Sequence, residues 1–335
     1  MKNIIITGGE LFNKGAQAMV FVTVDEMKKR FPNHNIYVLS ERDCKRPEKE
    51  RNQYAFYFTG WYPVKFAKAQ SNPLIRWLCL FKNRKELFKC EQIYRNTDIM
   101  VDISGYALGG VWSDNCNQLY LDNLFFAKKF HIPVYLMPQS FGPFRFAEEG
   151  RKKIDFQLRE LLPQCKVICA REKESYDELT NNLRLKNVVL KPDLVLNNRS
   201  VNYNNIYRIV PKLNLPEIQT KSVAIIPNAN NNYIKNKNKI MELYKKIISE
   251  LLCNEYDIYL IYHAPEDQEM CKEIKNNFLL DESVHFLDQE FSCIEFGELA
   301  KRFNFLIASR YHSVVHAYKN AVPCIVLGWA TKYKD

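Results

Sequence analysis

The sequence predicts an α/β protein of two domains, each a parallel sheet with helices on both faces, opposed across a cleft. Three observations lead there. Short apolar runs of strand length alternate with amphipathic stretches of helix length along the whole chain. The rhythm breaks once, over 197–221, which is polar, Asn-rich and Pro-containing, and then restarts. In each half one hydrophobic run leads directly to an arginine: Val167-Ile168-Cys169-Ala170-Arg171 and Phe305-Leu306-Ile307-Ala308-Ser309-Arg310. In an open parallel sheet that position, just past a strand's carboxyl end, is where ligands sit.

The elements follow in order. Ile4–Thr7 is a strand. A Gly/Asn loop leads to a helix from about Ala16 to Arg30, with Val20, Val24, Met27 and Phe31 on one face. Ile36–Leu39 is a strand, and a basic, aromatic stretch follows. Ile99–Ile103 is a strand running into Ser104-Gly105, Leu119–Phe130 a helix, Val134–Met137 a strand and Glu148–Leu161 a helix. Val167–Ala170, Glu174–Leu183 and Val188–Lys191 form a strand–helix–strand set. After the break come strand Val223–Ile226, helix Lys239–Leu252, strand Ile258–Tyr262, helix Pro265–Phe278 and strand Val284–Leu287. Helix Ile294–Arg302, strand Phe305–Ala308, helix His312–Lys319 and strand Cys324–Leu327 complete the second half. The predicted domains are 1–200, with a basic aromatic insertion at about 45–95, and 222–335, joined by a linker at 201–221. The sequence ends just after a strand, and a C-terminal closing segment is expected to be missing.

The 335 residues suffice for two ordinary domains. No apolar run is long enough to span a bilayer; the richest, Pro73–Phe81, is short and broken by Arg76. The N-terminus has no long apolar core and reads as a first strand, not a signal peptide. The ten cysteines form no CxxC pair, and Cys169 and Cys324 fall inside apolar strands, so the expectation is buried thiols in a reducing cytoplasm. The net charge is +10, concentrated between Arg51 and Arg95, where nine Lys/Arg face Glu86 and Glu91 amid many aromatics. Such a segment is expected to make peripheral contact with the anionic inner face of a membrane, to hold an anionic acceptor, or to form a solvated excursion with its own small core. No nucleic-acid module accompanies it, so no nucleic-acid partner is expected.

Several positions carry candidate chemistry. In the first loop, Asn13, Lys14 and Gly15 open a helix whose free N–H groups suit an anion, or Asn13 simply caps it. The loop is neither a GxGxxG fingerprint nor a Walker loop. Asp102, near a strand's end, is either functional or a hydrogen-bonded structural acid. Gln139 and Ser140, in Pro138-Gln139-Ser140-Phe141-Gly142-Pro143, are placed to hydrogen-bond a sugar hydroxyl or to shape a turn. Arg171 and Arg310 would together grip a small, multiply charged anion, with His312 as the proton donor beside it. Arg171 would otherwise pair with a neighbouring glutamate. His312 and His316 are spaced like a metal pair, but position 313 is serine and no third ligand is evident, so His316 is expected in the core and no metal is expected.

The block Ser309-Arg310-Tyr311-His312-Ser313-Val314-Val315-His316-Ala317, with Pro323 and Lys332 beyond it, resembles the C-terminal signature of the polysaccharide pyruvyl transferase family. Asn13-Lys14-Gly15-Ala16 resembles that family's first loop. Asp98–Gly105, Gln139–Pro143, Arg171–Ser175 and Asp193 follow in its order, although the family's glycine-rich stretch is thinned here to Ser104-Gly105-Tyr106 and Gly109-Gly110.

The resemblance implies a glycosyltransferase-B-like pair of domains. It implies transfer of a pyruvyl group from phosphoenolpyruvate, as donor substrate with no further cofactor, to a polysaccharide sugar or its lipid-linked precursor as a cyclic ketal. Arg171 and Arg310 would hold the donor's carboxylate and phosphate, and His312 would protonate its methylene carbon. Asp102 and Asp267 are the candidates for the base that takes the acceptor's proton. Two other functions fit the same architecture: a nucleotide-sugar glycosyltransferase, and a non-enzymatic, membrane-associated factor of polysaccharide assembly.

Overall fold

A computed structural model describes residues 2–60, 85, 88–144, 152–197, 200–229, 231–328 and 333. Most of the basic aromatic stretch, and Lys332, lie outside them. The chain divides into two compact units. One comprises residues 1–11 with 19–211, the other residues 12–18 with 212–335.

The first unit is built on an eight-stranded sheet. Its strands are β1 (Asn3–Thr7), β2 (Asn35–Leu39), β3 (Tyr57–Thr59), β4 (Thr97–Asp102), β5 (Tyr106–Leu108), β6 (Val134–Phe141), β7 (Val167–Ala170) and β8 (Val188–Leu190). The order is β3-β2-β1-β4-β6-β7-β8, with β5 pairing to β6, and every pairing is parallel. Helix α1 (Lys14–Arg30) follows β1, α2 (Asp114–Lys129) follows β5 and α3 (Lys152–Leu161) follows β6. Ile4, Ile5 and Ile6 are all fully buried, so β1 is covered on both faces. A continuous apolar run is what a central parallel strand requires. Ser113 caps α2 by accepting from the Cys116 amide at 3.3 Å.

The second unit carries a five-stranded parallel sheet, β9 (Ser222–Ile226), β10 (Asp257–Leu260), β11 (Val284–Phe286), β12 (Phe305–Ala308) and β13 (Cys324–Val326), in the order β11-β10-β9-β12-β13. Between these strands lie α4 (Asn231–Cys253), α5 (Gln268–Asn276), α6 (Cys293–Ala300) and α7 (Tyr311–Lys319). Val223, Ile225, Ile258 and Leu260 pack on one side of the sheet with Tyr244, Ile248 and Ile274. Ala224, Ile226, Leu306 and Ala308 pack on the other with Phe296 and Leu299. Ser292 and Glu295 form a reciprocal capping box at the start of α6.

Several local expectations need correction. The short strands β3 and β5 were not foreseen. The expected helix 174–183 is an α-helical turn, Lys173–Asp177, continued as a π-helix, Glu178–Asn182. The helix expected from Lys239 extends back to Asn231 across a kink at Asn236. Cys169 is buried as expected, but Cys324 is only half-buried, because β13 is an edge strand covered on one side. Among the described residues every cysteine is a free thiol, and no helix is long and apolar enough to cross a membrane.

Candidate active site

The first unit carries a buried polar network along the carboxyl ends of its central strands. Asp102, the last residue of β4, accepts from Thr7 Oγ1 at 2.7 Å, Ser104 N at 3.1 Å, Ser104 Oγ at 3.0 Å and Gln139 Nε2 at 3.0 Å. Burial raises the Asp102 pKa, and these hydrogen bonds work against it. Gln139 is fully buried, and its Oε1 accepts from the Tyr120 hydroxyl at 3.1 Å. The structure thus commits both ends of the Gln139 amide inside the network, not to an open surface.

Ser140, its neighbour on β6, accepts from Arg171 Nε at 3.3 Å and Nη2 at 2.8 Å. Arg171 also donates from Nη1 to Asp193 at 3.0 Å and lies 3.6 Å from Glu172. The Arg171 side chain is 3% exposed. The adjacent glutamate pairing that its sequence suggested is therefore present, with Asp193 as a second and closer partner. Replacing Ser140 with alanine takes away an acceptor shared by two buried guanidinium donors. The expected cost is about 1–3 kcal/mol, measured as a lower urea midpoint with unchanged slope. An unaltered midpoint would mean that Ser140 does not hold Arg171.

The second unit gathers its functional candidates at the carboxyl ends of β9, β10 and β12. Arg310 stands between β12 and α7. Its Nε and Nη2 reach the two oxygens of Asp267 at 2.8 and 2.6 Å, and Nη2 also meets Glu266 at 2.9 Å. Asp267 is fully buried and accepts from the amides of Ala229 at 2.9 Å and Ala264 at 3.1 Å. Burial opposes both charges; the planar fork meeting a carboxylate bidentately keeps the Arg310 guanidinium charged. Its Nη1 makes no hydrogen bond among the described residues, so one edge of a rigidly held cation is left for a ligand.

His312 lies in the first turn of α7, with the Tyr311 ring edge-on at 5.4 Å. Gly15 packs against it. A Cβ at position 15 would sit 2.2 Å from His312 Nδ1, which explains glycine there. Asn13 caps α1, its Oδ1 accepting from Gly15 N at 2.9 Å and Ala16 N at 3.3 Å. Lys14 is buried and donates to the carbonyls of Tyr262 at 3.0 Å and His263 at 3.2 Å.

Burial lowers the Lys14 pKa from 10.5 to about 8, against the pull of Glu290 and Asp267. Between those values the unfolded chain holds a proton that the folded chain has released, so this group makes stability rise with pH. Lys14→Met is therefore expected to flatten the dependence of melting temperature on pH between about 8 and 10.5. The same slope in variant and wild type would contradict the burial.

Sequence reasoning missed three polar groups in this unit. His263, three residues beyond the end of β10, is 1% exposed, and neither ring nitrogen has a hydrogen-bond partner among the described residues. Burial, with Lys14 beside it, holds its imidazole neutral well below the ordinary range. Asn228, just past β9, donates to Ser309 O at 3.0 Å but leaves its Oδ1 unpartnered, and the Ser313 hydroxyl is likewise buried and unpartnered. The available signal was position: each lies within three residues of a strand's carboxyl end or in the first turn of a helix that follows one. His316 packs in the core, edge-on to Phe296 at 5.4 Å. Among the described residues no three His, Cys, Asp or Glu side chains are grouped to hold a metal.

The polysaccharide pyruvyl transferase family model matches residues 13–331. The chain belongs to that family. No curated protein matches the sequence. Among solved structures it is similar to the UDP-GlcNAc 2-epimerase of Methanocaldococcus jannaschii (TM-score 0.55, 15% identity, covering 98% of this chain and 84% of that one). It is also similar to S. aureus MnaA, solved with UDP (TM-score 0.56, 13% identity, 99% and 80%). A third is the UDP-N-acetylglucosamine 2-epimerase of Rickettsia bellii (TM-score 0.53, 12% identity, 97% and 78%). At these identities the likeness shows the fold alone: α/β, two Rossmann-like parallel-sheet units, glycosyltransferase-B-like. In this pyruvyl transferase family member, the expected Arg310-Tyr311-His312 block sits at the carboxyl edge of the second sheet.

Proposed function

We propose that this family member transfers the pyruvyl group of phosphoenolpyruvate to two hydroxyls of one sugar, forming a ketal and releasing phosphate. The observation that carries the reading is the pairing of Arg310 with Asp267: a buried carboxylate fixes the guanidinium through Nε and Nη2, and Nη1 remains for an anion. Arg310 binds the anionic donor. His312, two residues on, gives a proton to its methylene carbon, leaving an oxocarbenium-like centre. One sugar hydroxyl adds there and loses its proton, and a second displaces phosphate with loss of another. Fixed cations suit the donor's carboxylate and phosphate, and histidine suits an acid working near neutral pH. Asp267, already committed to Arg310 and two amides, positions the guanidinium; Asp102 holds together the first unit's network. Arg171 supplies that unit's guanidinium for an anionic group. The sugar belongs to a surface polysaccharide or its lipid-linked precursor, and the enzyme works in the cytoplasm, at the inner face of the membrane.

A thermal-shift comparison tests the donor. Phosphoenolpyruvate is expected to raise the melting temperature of the wild type, and less so that of Arg310→Lys. Stabilisation by a UDP- or GDP-sugar, and none by phosphoenolpyruvate, would support a glycosyltransferase instead.

A further inference from the structure

A cavity of about 290 Å³ opens within the first unit, past the carboxyl ends of β1, β2 and β4. β1 has β2 on one side and β4 on the other, so the strand order reverses there. Open parallel sheets bind their ligands at such a point. We propose that this cavity receives one neutral sugar ring of the acceptor, an assignment that rests on the pyruvyl-transfer reading.

In its wall Gly8 has φ +75 and lets Ser104 pack closely, since a Cβ there would fall 2.1 Å from Ser104 Oγ. Helix α2 supplies the wall. Leu119 and the ring of Tyr120 offer apolar surface to the C–H face of a sugar. Asn123, one turn on, is 3% exposed, and its Oδ1 has no hydrogen-bond partner among the described residues. A buried amide oxygen without a donor is costly, and a sugar hydroxyl is a donor of the right kind.

Charge selects the ligand class. Glu10 and Glu41 line the cavity with one guanidinium, Arg42, which lies 3.6 Å from Glu10. Two carboxylates against one cation disfavour a phosphate or carboxylate ligand and suit a polyol. The volume is at the small end for organic ligands, which fits one ring and not a nucleotide-sugar. The cavity also adjoins the network described above. Ser104, in its wall, is bonded to Asp102, Asp102 to Gln139, and the next residue, Ser140, to Arg171.

Saturation-transfer NMR on the full chain tests this with methyl glycosides of glucose, galactose, mannose and N-acetylglucosamine. At least one is expected to bind the wild type. Asn123→Leu removes the amide, and Leu119→Trp fills the cavity from a half-buried position. Each is expected to weaken binding about tenfold or more, while the thermal shift produced by phosphoenolpyruvate stays as in the wild type. Circular dichroism and melting temperature establish that each variant is folded. The proposal is overturned if no glycoside binds the wild type, or if a folded variant binds as the wild type does. If glycoside binding is present and lost in both variants while no acceptor is ever pyruvylated, the sugar pocket stands and the pyruvyl-transfer reading falls.

Discussion

Arg310→Ala is expected to lose pyruvyl transfer and part of its stability together, for two separable reasons. The first is the donor. Removing one charged partner from a desolvated anion costs roughly 2–5 kcal/mol, which is about 30- to 5000-fold in kcat/KM. The second is Asp267. It is fully buried, and without Arg310 it keeps, among the described residues, the amides of Ala229 and Ala264 as hydrogen-bond donors. Stranding one member of a buried ion pair costs about 3–5 kcal/mol. Arg310→Lys separates the two effects. A point charge still meets Asp267, so most of the stability returns. The planar fork is lost, so activity is not fully rescued. Urea denaturation and kcat/KM measured on both variants check this. Wild-type kcat/KM in either folded variant would remove Arg310 from donor binding.

His312→Gln is expected to lower kcat by roughly 100- to 10,000-fold, the range for removing a general acid, while donor affinity falls only modestly. That split marks a group needed mainly in the transition state. EDTA is expected to leave the wild type unaffected. The packing of Gly15 gives a second handle on the same residue. A methyl group at position 15 would lie 2.2 Å from His312 Nδ1, so Gly15→Ala must displace the imidazole. It is expected to lower kcat without removing any polar group. Near-normal turnover in His312→Gln would overturn the acid assignment. So would EDTA inactivation reversed by zinc, which would return His312 and His316 to consideration as metal ligands.

The β-strand and helix alternation was legible because the central parallel strands are short, doubly buried apolar runs, such as Ile4–Ile6 or Leu306–Ala308, that stand out from their polar flanks. β3 and β5 escaped notice because three residues carry too little periodicity to register. The π-helical turn at Glu178–Asn182 likewise leaves no mark in residue type. At the site, Arg310 and His312 could be read from position alone, since a strand ending directly in charged residues presents them at the sheet's edge. What could not be read was who pairs with whom. Asp267 is 43 residues from Arg310, and Lys14 is nearly 250 from the carbonyls that hold it. A loose candidate base thus proves to be an arginine's partner. Gln139 likewise enters the core because Asp102 and Tyr120, brought in by other elements, take both ends of its amide. His263 and Asn123 went unremarked because an isolated polar residue in an apolar context is most often satisfied, and only the folded arrangement reveals buried atoms that are not.

The central claim is the transfer itself. The purified chain, incubated with phosphoenolpyruvate and a library of sugar acceptors, is expected to give at least one product heavier by a single pyruvyl ketal. Inorganic phosphate is expected to be released in equal amount, and neither product is expected to form with His312→Gln. Mass spectrometry and phosphate assay read both. Consumption of a nucleotide-sugar in place of phosphoenolpyruvate, with a glycosyl group added to the acceptor, would contradict the account.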